Sequence, residues 1–166
     1  MAGHNLRLML AAAATAVAVV AQPASAAQVT AVTSVKVVKP VSLTKLQDLD
    51  FGTLTYSSFT GSRTITISPG GALGCAADIV CSGATTAAGF NLRGTNRMTV
   101  LITVSGGSLS NGVDSIPFTP DAPPSITLTS SGMPGTDFYI GGSIDVDPNL
   151  VGGLYSGTMT VTADYQ

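Results

Sequence analysis

Gly152-Gly153-Leu154-Tyr155-Ser156-Gly157-Thr158-Met159-Thr160-Val161-Thr162-Ala163-Asp164-Tyr165-Gln166 closes the chain. One face of this stretch reads Tyr155, Gly157, Met159, Val161, Ala163 and Tyr165, and the other Ser156, Thr158, Thr160, Thr162 and Asp164. Successive side chains of a strand point to opposite faces, so a period of two held over this length predicts a half-buried β-strand across residues 155–165. Gly152 and Gly153 punctuate its start, because glycine enters turns at little steric cost. No turn and no further strand follow in the sequence, so one edge of this strand is expected to stay unpaired. An exposed edge with an apolar face is a liability unless another chain pairs with it, which is recognition by β-augmentation.

Working back from this strand, the rest of the sequence is also β. Runs rich in Val, Ile and Thr, separated by Gly, Pro, Ser, Asn and Asp, predict strands at residues 29–38, 41–46, 63–68, 89–93, 97–104, 125–129 and 138–146, with a further short one within 48–54. Pro69-Gly70-Gly71, Ser105-Gly106-Gly107, Asn111-Gly112, residues 120–124, Met133-Pro134-Gly135 and Asp147-Pro148-Asn149 read as breaks. Many short strands in one domain fit an immunoglobulin-like antiparallel β-sandwich. Val100, Ile102 and Val104 alternate with Leu101 and Thr103, apolar on both sides, which predicts a central strand. The segment 72–88, rich in Gly, Ala and Thr, is expected to be a long loop.

Residues 1–26 read as a secretory signal peptide: Arg7 gives a positive start, residues 8–20 are almost wholly apolar, and Ala24-Ser25-Ala26 is a small-x-small cleavage site. The apolar run is too short to span a bilayer, and no other long one exists, so no membrane insertion is expected. Residues 27–166 then form one secreted domain. The formal net charge of the chain is −2, with no basic patch to hold nucleic acid or anionic lipid. Cys75 and Cys81 lie in the exported part, where an oxidising compartment predicts a disulfide that staples a short turn.

Catalysis has few groups to draw on. The single histidine, His4, leaves with the signal peptide, and the acidic residues are all aspartates. Ser-His and Cys-His nucleophiles and the usual zinc sites therefore fall away, and no enzyme, cofactor or metal is expected. Ser42-Leu43-Thr44-Lys45 matches Ser-x-x-Lys, but on a strand residues three apart point to opposite faces. Asp145-Val146-Asp147-Pro148-Asn149 offers hard oxygens suited to calcium, yet lacks the glycine and distant glutamate of an EF-hand loop and is read in preference as strand-end and turn chemistry.

The penultimate Tyr165, the alternating positions before it and Gly153 resemble the C-terminal strand of pilus subunits handled by chaperone-usher systems. The wording from Gly153 to Tyr165 is similar to the ending of spore coat protein U-like subunits of the archaic branch. With Leu49-Asp50-Phe51-Gly52, the chain also resembles the domain of unknown function 4402 family. The resemblance implies a pilin-like sandwich and a secreted structural subunit of a pilus-like or cell-surface fibre, in the periplasm or on the bacterial cell surface. It also implies assembly by strand exchange with copies of itself or related subunits, and a periplasmic chaperone and an outer-membrane usher as partners. In that reading Gly153, Tyr155, Gly157, Met159, Val161, Ala163 and Tyr165 form the strand-exchange edge. Val29, Ala31, Thr33, Val35 and Val37 form one largely apolar face of a candidate donor strand, which could equally be the first strand of the subunit's own sandwich. The donor stretch lacks the glycine common in pilin donor strands. The alternative function is a monomeric extracellular binding module for carbohydrate or another surface ligand.

Overall fold

The computed structural model describes residues 26–166, and the expected signal peptide lies outside that range but for Ala26. Among the described residues, 26–35 belong to one unit and Lys36–Gln166 form another. Of the first unit, residues 26–35 contain no strand, and Val29, Val32 and Val35 are 94%, 98% and 86% exposed. The strand expected at residues 29–38 is not formed. Alternation supplies an apolar face, but a strand exists only when a neighbouring backbone takes up its N–H and C=O groups.

The second unit holds twelve antiparallel strands and, among the described residues, no helix. They are β1 (Ser42–Gln47), β2 (Thr53–Thr55), β3 (Arg63–Ile67), β4 (Leu73–Gly74), β5 (Val80–Ser82), β6 (Ala88–Arg93), β7 (Thr99–Ser105), β8 (Gly107–Ser110), β9 (Ser115–Asp121), β10 (Ser125–Thr127), β11 (Thr136–Val146) and β12 (Thr160–Tyr165). The largest sheet runs β1-β6-β11-β3-β4, with β9 beside β11 and β8 beside β9. A second runs β10-β7-β12, and β2 pairs with β5. β7 is central in its sheet, as expected, but only one of its faces is buried: Val100 and Ile102 are inside while Leu101 is exposed.

β11 organises the core because it reaches both halves of it. Its first half pairs with β6, from Thr136↔Leu92 to Ile140↔Ala88, and its second half with β3, from Gly142↔Ile67 to Val146↔Arg63. Phe138 and Ile140 accordingly join Phe90, Leu92, Val100, Ile102 and Leu128 in one apolar cluster. Ile144 and Val146 join Phe51, Ile65, Ile67, Ile79, Ile116 and Phe118 in the other. Burying side chains such as Leu92 and Ile65, both fully shielded, contributes about 1.5–3 kcal/mol each. Gly141 and Gly142 mark the changeover, where a Cβ would run into the Ile67 carbonyl and the Phe118 ring.

Three parts of the structure depart from the sequence expectations. The hairpin of β8 and β9, joined at Asn111–Asp114, lies where only breaks were read; Asn111 Oδ1 accepts the N–H groups of Val113 (2.9 Å) and Asp114 (2.7 Å) and so closes the turn. β9 tolerates Pro117 and Pro120 because β8 pairs with its first half and β11 with its second, so each half behaves as an edge. The expected loop 72–88 contains β4 and β5, and the Cys75–Cys81 disulfide links the residue after β4 to the middle of β5. Finally, the long strand expected over 155–165 is regular only from Thr160; Ser156 makes an isolated bridge to Ser110 of β8 before the chain passes to β7.

Candidate functional site

β12 and β1 are two of the strands that end their sheets, as β4, β8 and β10 also do. β12 pairs with β7 alone, from Thr160↔Ser105 to Tyr165↔Val100, and β1 pairs with β6 alone. The backbone of Gln166 donates to Thr99 O on β7, so by strict alternation the N–H groups of Thr160, Thr162 and Asp164 also turn toward β7. Those of Val161, Ala163 and Tyr165 turn to the open edge. The two edges differ in character. β1 carries Lys45 and a register shift between Lys45 and Gln47, both devices that blunt an edge against further pairing, whereas β12 is unbroken.

A groove of about 880 Å³ is bordered by Leu43, Lys45 and Gln47 of β1, by Met159 just before β12 and by Val161 within it. Phe90, Ile116, Phe118, Ile144 and Val146 line it from the large sheet. It lies where the two apolar clusters meet, since Leu49 and Met159 pack against both. Two of its polar side chains have local partners: Lys45 Nζ bonds Asp48 Oδ1 at 2.7 Å, and Gln47 Nε2 donates to Ala87 O at 2.7 Å. An apolar surface with an unpaired strand at its border has two unmet needs, side chains to cover it and a backbone to pair with it.

Of the residues expected to form the exchange edge, Met159 borders the groove just ahead of β12, and the others divide into two groups. Val161, Ala163 and Tyr165 are half-buried against the core, while Thr160, Thr162 and Asp164 are exposed, which is the alternation read in the sequence. Gly153, Tyr155 and Gly157 precede the strand and line the groove. Gly157 passes so close to β8 that a Cβ would strike the Ser108 carbonyl and come within 3.0 Å of Leu109 Cδ2. Tyr155 Oη donates to Val151 O at 2.7 Å, and desolvation, then the Asp114 carboxylate and the Tyr56 phenol, raise its pKa above the ordinary tyrosine value. Leu154 is 86% exposed at the groove's border.

Tyr165 does something the alternation did not announce. Its Oη accepts the Thr95 N–H at 2.6 Å and donates to the Lys39 carbonyl at 2.7 Å. Lys39 N–H in turn donates to Thr95 Oγ1 at 2.7 Å. Only glycine fits beside this junction, because a Cβ on Gly94 would meet Tyr165 Oη and lie 2.8 Å from Leu128 Cδ1.

Among the candidate donor residues, Val29, Ala31, Thr33 and Val35 belong to the N-terminal unit, and all four are exposed, as is Val37. Cys75 and Cys81 form the expected disulfide, with Cα atoms 6.2 Å apart. Inside its loop Asp78 pairs with Arg63 Nη2 at 2.6 Å, and the Arg63 guanidinium lies 5.3 Å from the centre of the Phe59 ring. Ser42 and Lys45 sit on β1, where Lys45 pairs with Asp48, and Asp145 accepts Thr64 Oγ1 at 2.6 Å. No helix among the described residues is long and apolar enough to cross a membrane.

No curated protein and no solved structure matches this chain. A family model does, over residues 41–165, which takes in every strand from β1 to β12 and starts after Lys39 and Pro40. The chain belongs to the family described as Domain of unknown function (DUF4402).

Proposed function

We propose that this protein is a secreted structural subunit of a pilus-like or cell-surface fibre, assembled by β-strand exchange. The observation that carries the proposal is the apolar groove bordered by the open edges of β1 and β12. One inserted strand would cover the groove with alternate side chains and pair with the N–H and C=O groups of Val161, Ala163 and Tyr165. The stretch 29–37 has the composition for that role: it forms no strand, and Val29, Ala31, Thr33, Val35 and Val37 fall on one side of an extended chain. A second copy of the chain supplies the strand in this reading, and a periplasmic chaperone and an outer-membrane usher are the partners that would handle the subunit before assembly. The fold is then a pilin-like, immunoglobulin-like sandwich lacking one strand. Two antiparallel layers sharing a core support that reading, as do pairings between strands distant in sequence, such as β1 with β6 and β7 with β12.

A second reading is a monomeric extracellular binding module. The groove volume, about 880 Å³, falls within the range of about 300–1,000 Å³ usual for small-molecule sites. The two readings separate in solution. Protein purified after export is examined by analytical ultracentrifugation over rising concentration, with and without a synthetic peptide of residues 29–37. Head-to-tail oligomers that the peptide disperses are the expected result; a monomer at all concentrations that ignores the peptide removes the fibre reading and favours the module.

A further inference from the structure

The two backbone groups of Lys39 are held by partners far away in sequence and by no sheet. The N–H goes to Thr95 Oγ1 and the C=O receives the Tyr165 hydroxyl, 56 and 126 residues distant. Tyr165 and Thr95 are joined to each other through Thr95 N–H, so the three residues close a ring of hydrogen bonds. Pro40 follows, which has no N–H to offer a ladder and biases Lys39 toward extended backbone. The first regular pairing comes later, at Ser42↔Arg93. Lys39 is therefore the point at which the chain preceding the domain is fastened to it.

We infer that Tyr165 and Thr95 form a clamp that positions the N-terminal arm for delivery to a second copy, and that this, more than pairing in the exchange edge, is the task of the Tyr165 hydroxyl. The inference rests on the strand-exchange reading. With the clamp closed, the arm starts at a fixed point beside the last residue of β12. With it open, Lys39 and Pro40 are free up to Val41, which packs against the apolar cluster, and assembly must order those residues as well as the arm. Freedom restored to about two residues weakens an association that depends on the arm's starting point by roughly tenfold or more. A free peptide entering the groove has no such starting point and is indifferent to the clamp.

That asymmetry gives the test. Thr95→Val keeps the side-chain shape and removes the acceptor for Lys39 N–H, Tyr165→Phe keeps the ring and removes the hydroxyl, and Thr95→Ser keeps the acceptor. Each is made in the full chain and purified after export. Self-association is measured by analytical ultracentrifugation and affinity for the residue 29–37 peptide by fluorescence anisotropy. The expected result is self-association weakened roughly tenfold in Thr95→Val and Tyr165→Phe. Peptide affinity of Thr95→Val, whose residue lies outside the groove and the β12 edge, should stay within about twofold of the parent, and Thr95→Ser should behave as the parent. Parent-like self-association in both variants overturns the clamp and leaves strand exchange standing. Equal loss of peptide affinity and self-association also overturns it, because the hydroxyls would then act on the groove itself. A parent chain that neither self-associates nor binds the peptide overturns the clamp together with the strand-exchange reading.

Discussion

Val161 pairs with Val104 through one edge of β12 and presents its own N–H and C=O at the other, while its side chain lines the groove. Thr162, the next residue, has the opposite arrangement: its backbone is used by β7 and its side chain is exposed. Substituting lysine at each position separates groove from surface. Val161→Lys is expected to abolish binding of the residue 29–37 peptide, because an ammonium in the groove must be desolvated by the incoming strand. The stability of the unliganded domain should change less, since a lysine at a half-buried site extends its head to water. Thr162→Lys is expected to leave peptide affinity within about twofold of the parent. Titration by fluorescence anisotropy, with a thermal melt of each variant, checks both.

The alternation of β12 was legible because Val161, Ala163 and Tyr165 are separated by polar residues, and runs rich in Val, Ile and Thr between turn residues identified β1, β3, β6, β7, β10 and β11. It failed where the pairing partner, more than the strand's own composition, makes the strand. Gly107–Ser110 is held in place by β9, and β9 runs on into Pro120, where the sequence reads as a break. Residues 29–38 fail in the opposite sense, with strand composition and no strand. One side of the groove could be read from the terminal strand. The other could not, because β1 reaches the groove through its pairing with β6, which no local pattern reports. The clamp at Lys39 was equally hidden, since hydroxyl contacts across 56 and 126 residues leave no periodicity behind.

The disulfide closes a loop with a sequence separation of 6, and Asp78 within it is tied to Arg63. A loop this short restricts the unfolded chain modestly, so replacing Cys75 and Cys81 together by serine should cost about 2 kcal/mol. For a domain of this size that lowers the melting midpoint by roughly 5–10 °C. Differential scanning calorimetry of the double variant against the parent measures it, and peptide binding should survive because neither cysteine lines the groove.

Leu92 and Ile65 are both fully buried, each in a different apolar cluster. β11 contributes to both clusters, so the two are expected to unfold together. Leu92→Ala and Ile65→Ala should each destabilise by about 2–5 kcal/mol through lost transfer energy and the cavity left behind. Each should shift one cooperative urea transition without splitting it. Two separate transitions in either variant would show that the halves of the core fold independently.

Tyr155 keeps its proton to higher pH in the folded chain than in the unfolded one, through desolvation first and the Asp114 carboxylate second. A group whose folded pKa is raised contributes stability that is fully present below its unfolded value and lost as pH rises through the folded one. The contribution should therefore be complete below about pH 10 and decline above it, as the unfolded chain ionises first. Tyr155→Phe removes that contribution along with the hydrogen bond to Val151, and its melting midpoint should fall less steeply across the alkaline range than the parent's.

If the open edge of β12 receives a strand, amide hydrogen exchange reads that edge residue by residue. The N–H groups of Thr160, Thr162 and Asp164 are directed to β7, whereas those of Val161, Ala163 and Tyr165 have no ladder partner among the described residues. Nuclear magnetic resonance exchange rates are compared for the protein alone and saturated with the residue 29–37 peptide. The account predicts that Val161, Ala163 and Tyr165 slow by roughly two orders of magnitude or more while the alternate residues, already protected, change little. Fast exchange at Val161, Ala163 and Tyr165 with the peptide in saturating excess would contradict it.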